Sequence, residues 1–234
     1  MSCITHIIKQ GDTLYNLAKQ NNTTVQNILN YNPHIIPYSP YNLPVGATLT
    51  ICNQDNNCMS IPNVNLLTTL NNLWEQHVHW TYATLVSIAE NLRDLEPVKK
   101  RLLQNAVDMG NFYRHYYGDA VGNKIAQLFN AHLTIAGDLI VALKNGYGNQ
   151  AKMLNEKWYK NADDIAEYMK SINPIYDLDT LKNMLHTHLD LLTAQIKARL
   201  KRDYTAQIKA YDEGAKEAIR MSEYFAQGIM KQKK

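Results

Sequence analysis

Three histidines stand out for the chemistry they could do together. His77, His132 and His188 each fall in phase with the apolar stripe of a different predicted helix. His77 shares its face with Leu70 and Leu85, His132 with Leu128 and Ala136, and His188 with Leu185 and Leu192. Residues three and four apart lie on one helical face, so each ring is aimed where its apolar neighbours are aimed. Neutral imidazole is a ligand for zinc, iron or copper, and helical bundles hold such ions with side chains from facing helices. Asn161 is in phase with Trp158 and Ile165, and Asp164 follows one turn later. The candidate metal set is therefore His77, His132, His188 and Asp164. The same phase suits a buried polar network, with each ring bonded to a carbonyl or carboxylate, or a small-molecule pocket. His79, His115 and His186 read as rim or solvent positions.

Other chemistry is thinly represented. A metal-binding bundle of ferritin or hemerythrin type stays open as an alternative, although Glu75-Gln76-His77 does not have the Glu-x-x-His spacing of the ferritin-like pattern. The cysteines are Cys3, Cys52 and Cys58, and none forms a CxxC pair, which argues against a zinc knuckle. No Walker-type loop, GxGxxG, G-x-S-x-G or H-E-x-x-H occurs. The chain thus offers no motif of a nucleotide enzyme, an esterase or a zinc protease, and a non-enzymatic role is the leading expectation.

The elements that must position these residues divide at a polar stretch. Asn53-Gln54-Asp55-Asn56-Asn57 and the proline at 62 mark a linker over 53–65, between a module at 1–52 and a helical domain at 66–232. In the first part, Ile4–Lys9 alternates as a short strand ahead of Gly11. Asp12 or Thr13 can cap a helix carrying Leu14, Leu17 and Ala18. Thr23-Thr24 precedes a second helix carrying Val25, Ile28 and Leu29, which ends at Asn32-Pro33. Val45-Gly46 turns into a second strand over Thr48–Cys52. The order is strand, helix, helix, strand.

That order and three segments resemble the LysM family. His6-Ile7-Ile8-Lys9-Gln10-Gly11-Asp12-Thr13-Leu14-Tyr15-Asn16-Leu17-Ala18 resembles its opening, Val25–Pro33 its middle, and Leu43–Ile51 its close. The resemblance covers 4–52 and implies binding of GlcNAc-containing glycans, peptidoglycan or chitin. It places the glycan groove on Gly11, Asp12, Thr13 and Leu14 and on Asn32, Pro33, His34, Ile35 and Ile36, with Ile35 meeting the apolar face of the sugar. A structural or protein-docking role for the module is the other reading. The family fold also makes the two strands antiparallel neighbours, so that Cys3 and Cys52 are disulfide candidates, with free thiols in a reducing cytosol as the other reading; Cys58, on the linker, is the candidate for cross-linking between chains.

Residues 66–232 read as an all-α up-and-down bundle of four or more helices. The stripes run from Leu66 to Leu92, over Val98–Val107, over Ile125–Leu143, over Ala151–Ile172, and over a last stretch from Asp179 to Gln227 read as one long helix or two. His132-Leu133 and His188-Leu189 begin similar apolar runs, with Ala142 and Ala198 at matching offsets, which hints at duplication. Leu73–Thr81, Arg101–Asn105, Trp158–Ala166 and Ser171–Pro174 resemble a group of small helical-bundle proteins of spore-forming bacteria without settled activity. The fold class expected is an α+β LysM (βααβ) module followed by this bundle.

Composition bounds the rest. Lys and Arg number 24 against 21 Asp and Glu, a net charge of +3 over 234 residues, which gives no argument for a nucleic-acid partner. No apolar run approaches a membrane span, and Met1–His6 lacks the features of a secretory signal. The expected protein is a glycan-anchored component of the cell wall or spore coat, made in the cytoplasm. Its expected partners are GlcNAc-containing glycan, other coat or envelope proteins, and further copies of itself.

Overall fold

The computed structural model describes residues 3–32, 35, 43–52 and 61–232. Pro33, His34, Ile36 and Cys58 lie outside the described residues. The chain divides into two compact units, Met1–Ile61 and Pro62–Lys234.

The first unit runs β1 (Cys3–Ile7), α1 (Leu14–Gln20), α2 (Val25–Tyr31) and β2 (Thr48–Cys52). β1 pairs with β2 antiparallel, with Cys3 opposite Cys52 and Ile7 opposite Thr48. Cys3 and Cys52 are joined as a disulfide. Thr13 and Thr24 cap the two helices, each hydroxyl accepting from the backbone N–H three residues on, at 3.1 Å. Ile8, Leu14, Leu17, Ile28, Ile35, Leu49 and Ile51 close over one another as the core. The strand alternation expected at Ile4 and Ile7 does not carry burial: both are exposed, and Ile8 beyond the strand end supplies the core residue.

The second unit is all helical: α3 (Ile61–Glu90), α4 (Leu95–Tyr117), α5 (Asp119–Lys144), α6 (Gly148–Ile172), α7 (Leu178–Leu200) and α8 (Tyr204–Gln232). α3 begins inside the stretch read as linker, because the first turn of a helix tolerates Pro62, whose missing N–H has no intrahelical acceptor there. α4 is one helix through Tyr113, Tyr116 and Tyr117, where a shorter helix was expected. The last stretch is two helices, divided at Lys201–Asp203. Leu92, Val107 and Ile208, assigned to apolar stripes, are exposed. α5 is long and apolar enough to cross a membrane by length and composition, and its apolar residues are largely those the bundle buries.

The six helices form three hairpins that repeat one register. The turns closing α3–α4, α5–α6 and α7–α8 each contain a residue in the left-handed region: Asn91 (φ 55°), Gly146 (φ 72°) and Arg202 (φ 63°). The next N–H in each turn reaches back to close the helix, Leu92 to the Ser87 carbonyl at 2.9 Å, Tyr147 to Ala142 at 2.9 Å and Asp203 to Ala198 at 3.0 Å. That is the same six-to-one closure three times. At the same spacing of 55 or 56 residues the core repeats as Leu70/Ile125/Leu181, Leu85/Ile140/Ile196, Ala106/Ala162/Ala218 and Met109/Ile165/Met221, all buried. The duplication hinted at by Ala142 and Ala198 is therefore a triplication, with Ser87 as the third carbonyl.

Candidate functional site

In the first unit the β1–α1 loop is built by its own side chains. Gly11 turns the chain at φ 91°, a conformation that glycine adopts without strain. Asp12 Oδ2 lies 2.7 Å from His6 Nε2 and accepts the Lys9 N–H at 2.8 Å. The His6 hydrogen bond and then the Lys9 N–H hold the Asp12 carboxyl below its ordinary value. Thr13 spends its hydroxyl on the α1 cap. Leu14, Asn32 and Ile35 are buried. The Asn32 amide ties α2 to β2, donating to the Ile28 and Thr50 carbonyls, each at 2.7 Å, and accepting the Thr50 N–H at 2.8 Å. Ile35 has no exposed surface, so it does not receive a sugar face as expected; burial in the core takes precedence. What this loop can offer a ligand is backbone polarity around Gly11 together with the outer edges of Asp12 and Thr13. Sequence reasoning passed over Tyr15, which follows the loop and is 64% exposed. An aromatic ring facing water beside polar backbone is a ready stacking surface for a sugar.

In the second unit the three hairpins bring His77, His132 and His188 together. Their ring centroids are 5.5 Å apart for His77–His188, 6.3 Å for His132–His188 and 6.4 Å for His77–His132. All three are buried, against Trp74, Phe129 and Trp158. Two rings have the same partner built the same way. Asn105 on α4 donates its amide to the Leu73 carbonyl at 2.9 Å, so its Oδ1 is what faces His77 Nδ1, at 3.1 Å. Asn161 on α6 donates to the Leu128 carbonyl at 3.2 Å and presents Oδ1 to His132 Nδ1, at 2.8 Å. Each carbonyl stands four residues before its histidine. An amide oxygen can only accept, so Nδ1 of both rings carries the proton and the neutral ring keeps its lone pair on Nε2.

The third hairpin departs from this pattern. The position of Asn105 and Asn161 is held by Glu217, which is buried and pairs with Arg220 at 3.2 Å. His188 Nδ1 and Nε2 are both buried with no hydrogen-bond partner. Trp74 Nε1 and Trp158 Nε1 beside the cluster are likewise unpartnered. Burial holds all three rings neutral. It pushes His77 down to about 4 and His132, with His77 beside it, down to about 3, and it holds His188 well below the ordinary imidazole value. Asp164 does not join them: it is partly exposed and pairs with Lys160 on its own helix. Three residues on from Asn161, Asp164 lies about 60° round α6, on the flank of the inward face where burial falls off, and its carboxylate is met there by Lys160. Among the described residues no three His, Cys, Asp or Glu side chains form a ready-made metal-holding group.

Comparison with family models matches residues 6–51 to the LysM domain. No curated protein and no solved structure matches the chain. The likeness of 66–232 to helical proteins of spore-forming bacteria thus rests on the quoted segments alone. LysM domains occur typically in cell-wall-associated proteins and bind GlcNAc-containing glycans. A two-stranded antiparallel sheet with two capped helices between its strands, matched over 6–51, makes the first unit of this chain a LysM domain.

Proposed function

We propose that the chain is a glycan-anchored protein of the cell wall or spore coat, in which the LysM domain holds peptidoglycan and the helical unit is what it carries there. The observation that carries this reading is the LysM domain itself, matched over residues 6–51, with its tight turn at Gly11. Affinity for one sugar chain comes from a few polar groups and one apolar face, and Tyr15 supplies the exposed ring. Anchoring needs no chemistry from the helical unit, in keeping with the lack of catalytic motifs in the sequence.

Co-sedimentation of the full chain with insoluble peptidoglycan tests this. The chain is expected in the pellet, released by soluble GlcNAc oligomers and not by cello-oligosaccharides. Tyr15→Ala is expected to weaken retention several-fold with an unchanged melting temperature. A chain that stays in the supernatant with both peptidoglycan and chitin would overturn the reading and leave the module as a protein-docking element.

A further inference from the structure

The histidine cluster is left unexplained by glycan anchoring. Three buried rings from three hairpins stand at one level, two of them held in a single tautomer by amides that serve no other ring. The third has two buried nitrogens and no partner. Buried polar atoms are nearly always satisfied, and unsatisfied ones call for an unseen water or ion. Fixing the tautomer from outside, through the nitrogen that does not bind, is how proteins orient metal-ligating histidines.

We propose that His77, His132 and His188 bind one divalent first-row transition-metal ion of the zinc type, through Nε2 of the first two and a ring nitrogen of the third. With metal–nitrogen bonds of 2.0–2.1 Å, three imidazoles around one ion have centroids about 5–5.5 Å apart. The His77–His188 pair at 5.5 Å already meets this, and the other two pairs must close by about 1 Å, within the reach of small side-chain rotations. The donor set, three neutral nitrogens with a fourth position open, suits zinc, cobalt or copper.

The third hairpin also supplies a way in. Leu102 of the first hairpin and Trp158 of the second correspond to Gly214 in the third. Where those two fill the core, Gly214 leaves a cavity of about 20 Å³ lined by His188, Val78, Thr81, Gln195 and Tyr211. That is room for one water-sized occupant. Val78 and Tyr211 also line an open groove of about 260 Å³ beside it, with Glu75 and Lys216. Glu217 stands at the position from which the two asparagines orient their rings. We assign it as the positioning residue of His188: with metal on His188 Nε2, its carboxylate would accept a hydrogen bond from Nδ1–H and offset part of the ion's charge, in exchange for its present pairing with Arg220.

The test uses the full chain, treated with chelator and dialysed, then titrated with Zn(II) and separately with Co(II). One equivalent of metal is expected. Co(II) should give the intense visible bands of a four-coordinate nitrogen-rich centre, without the thiolate charge-transfer band that Cys58 would produce. Cu(II) or Co(II) should quench Trp74 and Trp158 fluorescence, since these rings lie 5.3 and 5.4 Å from His77 and His132. His77→Gln, His132→Gln and His188→Gln should each weaken binding at least about 100-fold, and Glu217→Gln about 10-fold. Should a variant fail to fold, the wild-type spectrum and quenching decide alone. Substoichiometric metal, six-coordinate Co(II) bands without quenching, or binding that survives all three substitutions would overturn the proposal and leave the cluster to buried water.

Discussion

At the scale of single residues, the neutral histidines set how the metal-free chain responds to acid. A histidine held neutral by burial binds its proton more weakly folded than unfolded, so the unfolded state takes up protons first as pH falls. Stability is fully present above pH 6.5 and is lost as pH drops through the window down to about 4 for His77 and about 3 for His132. For His77 alone the loss is on the order of 3 kcal/mol. Urea melts of chelator-treated protein between pH 7.5 and 4 should show this decline in the helical transition, and His77→Gln should make it shallower. An unchanged urea midpoint across that range would mean the rings are not held neutral. The inward phase of these histidines was legible in the sequence, because helical period and apolar neighbours fix the face. Their common level was not, because level depends on turn lengths and crossing points. The partners Asn105 and Asn161 follow the same logic: Asn161 is visible as polar on an apolar stripe, whereas Asn105 becomes conspicuous only once Leu73 O and His77 are seen on either side of it.

At the scale of elements, contacts between helices are set by what stands at the crossing. A Cβ on Gly110 would lie 2.6 Å from the Gly122 carbonyl and 2.7 Å from Ala126 Cβ, so α4 and α5 touch backbone to backbone. A Cβ on Gly228 would lie 2.0 Å from the ring of Tyr176, whose hydroxyl donates to the Phe225 carbonyl at 2.7 Å. A Cβ on Gly137, within α5, would have nothing within 4 Å. Gly110→Ala and Gly228→Ala should therefore each destabilise the helical unit by about 1–3 kcal/mol. Gly137→Ala should stabilise it by about 0.5–1 kcal/mol, since alanine loses less backbone entropy in a helix. Thermal melts of the three variants check the opposite signs; three shifts in one direction would count against these crossings. The helices were readable from their stripes, but the triplication was hidden. Packing preserves phase and burial more than identity, so Trp74, Phe129 and Leu185 occupy one repeated position without looking alike. The turns were hidden for a similar reason: asparagine, glycine and arginine all take the same left-handed conformation, and only the glycine announces it.

At the scale of the whole molecule, the two units answer to different chemistry. The Cys3–Cys52 bridge closes the ends of the first unit, across a separation of 49 residues. Closing a loop of that length is worth about 4 kcal/mol in the chain-entropy account. Reductant should lower the melting temperature of the LysM transition and leave the helical transition where it was; a shift of both would show that they unfold as one. The βααβ order could be read because its turns and caps are local, whereas the burial of Ile35 depends on how the chain returns to the sheet. The repeated hairpins bear on how the second unit is made. Each closes on its own short turn from neighbouring chain, so its formation involves little loop entropy and is fast. The histidine cluster is different: it takes one side chain from each hairpin, from positions 55 and 56 residues apart. His77, His132 and His188 come together only when all three hairpins pack against one another. Contacts of that sequence separation carry more loop-closure entropy than any one hairpin turn, so the cluster reports the packing of whole hairpins rather than the formation of any single one.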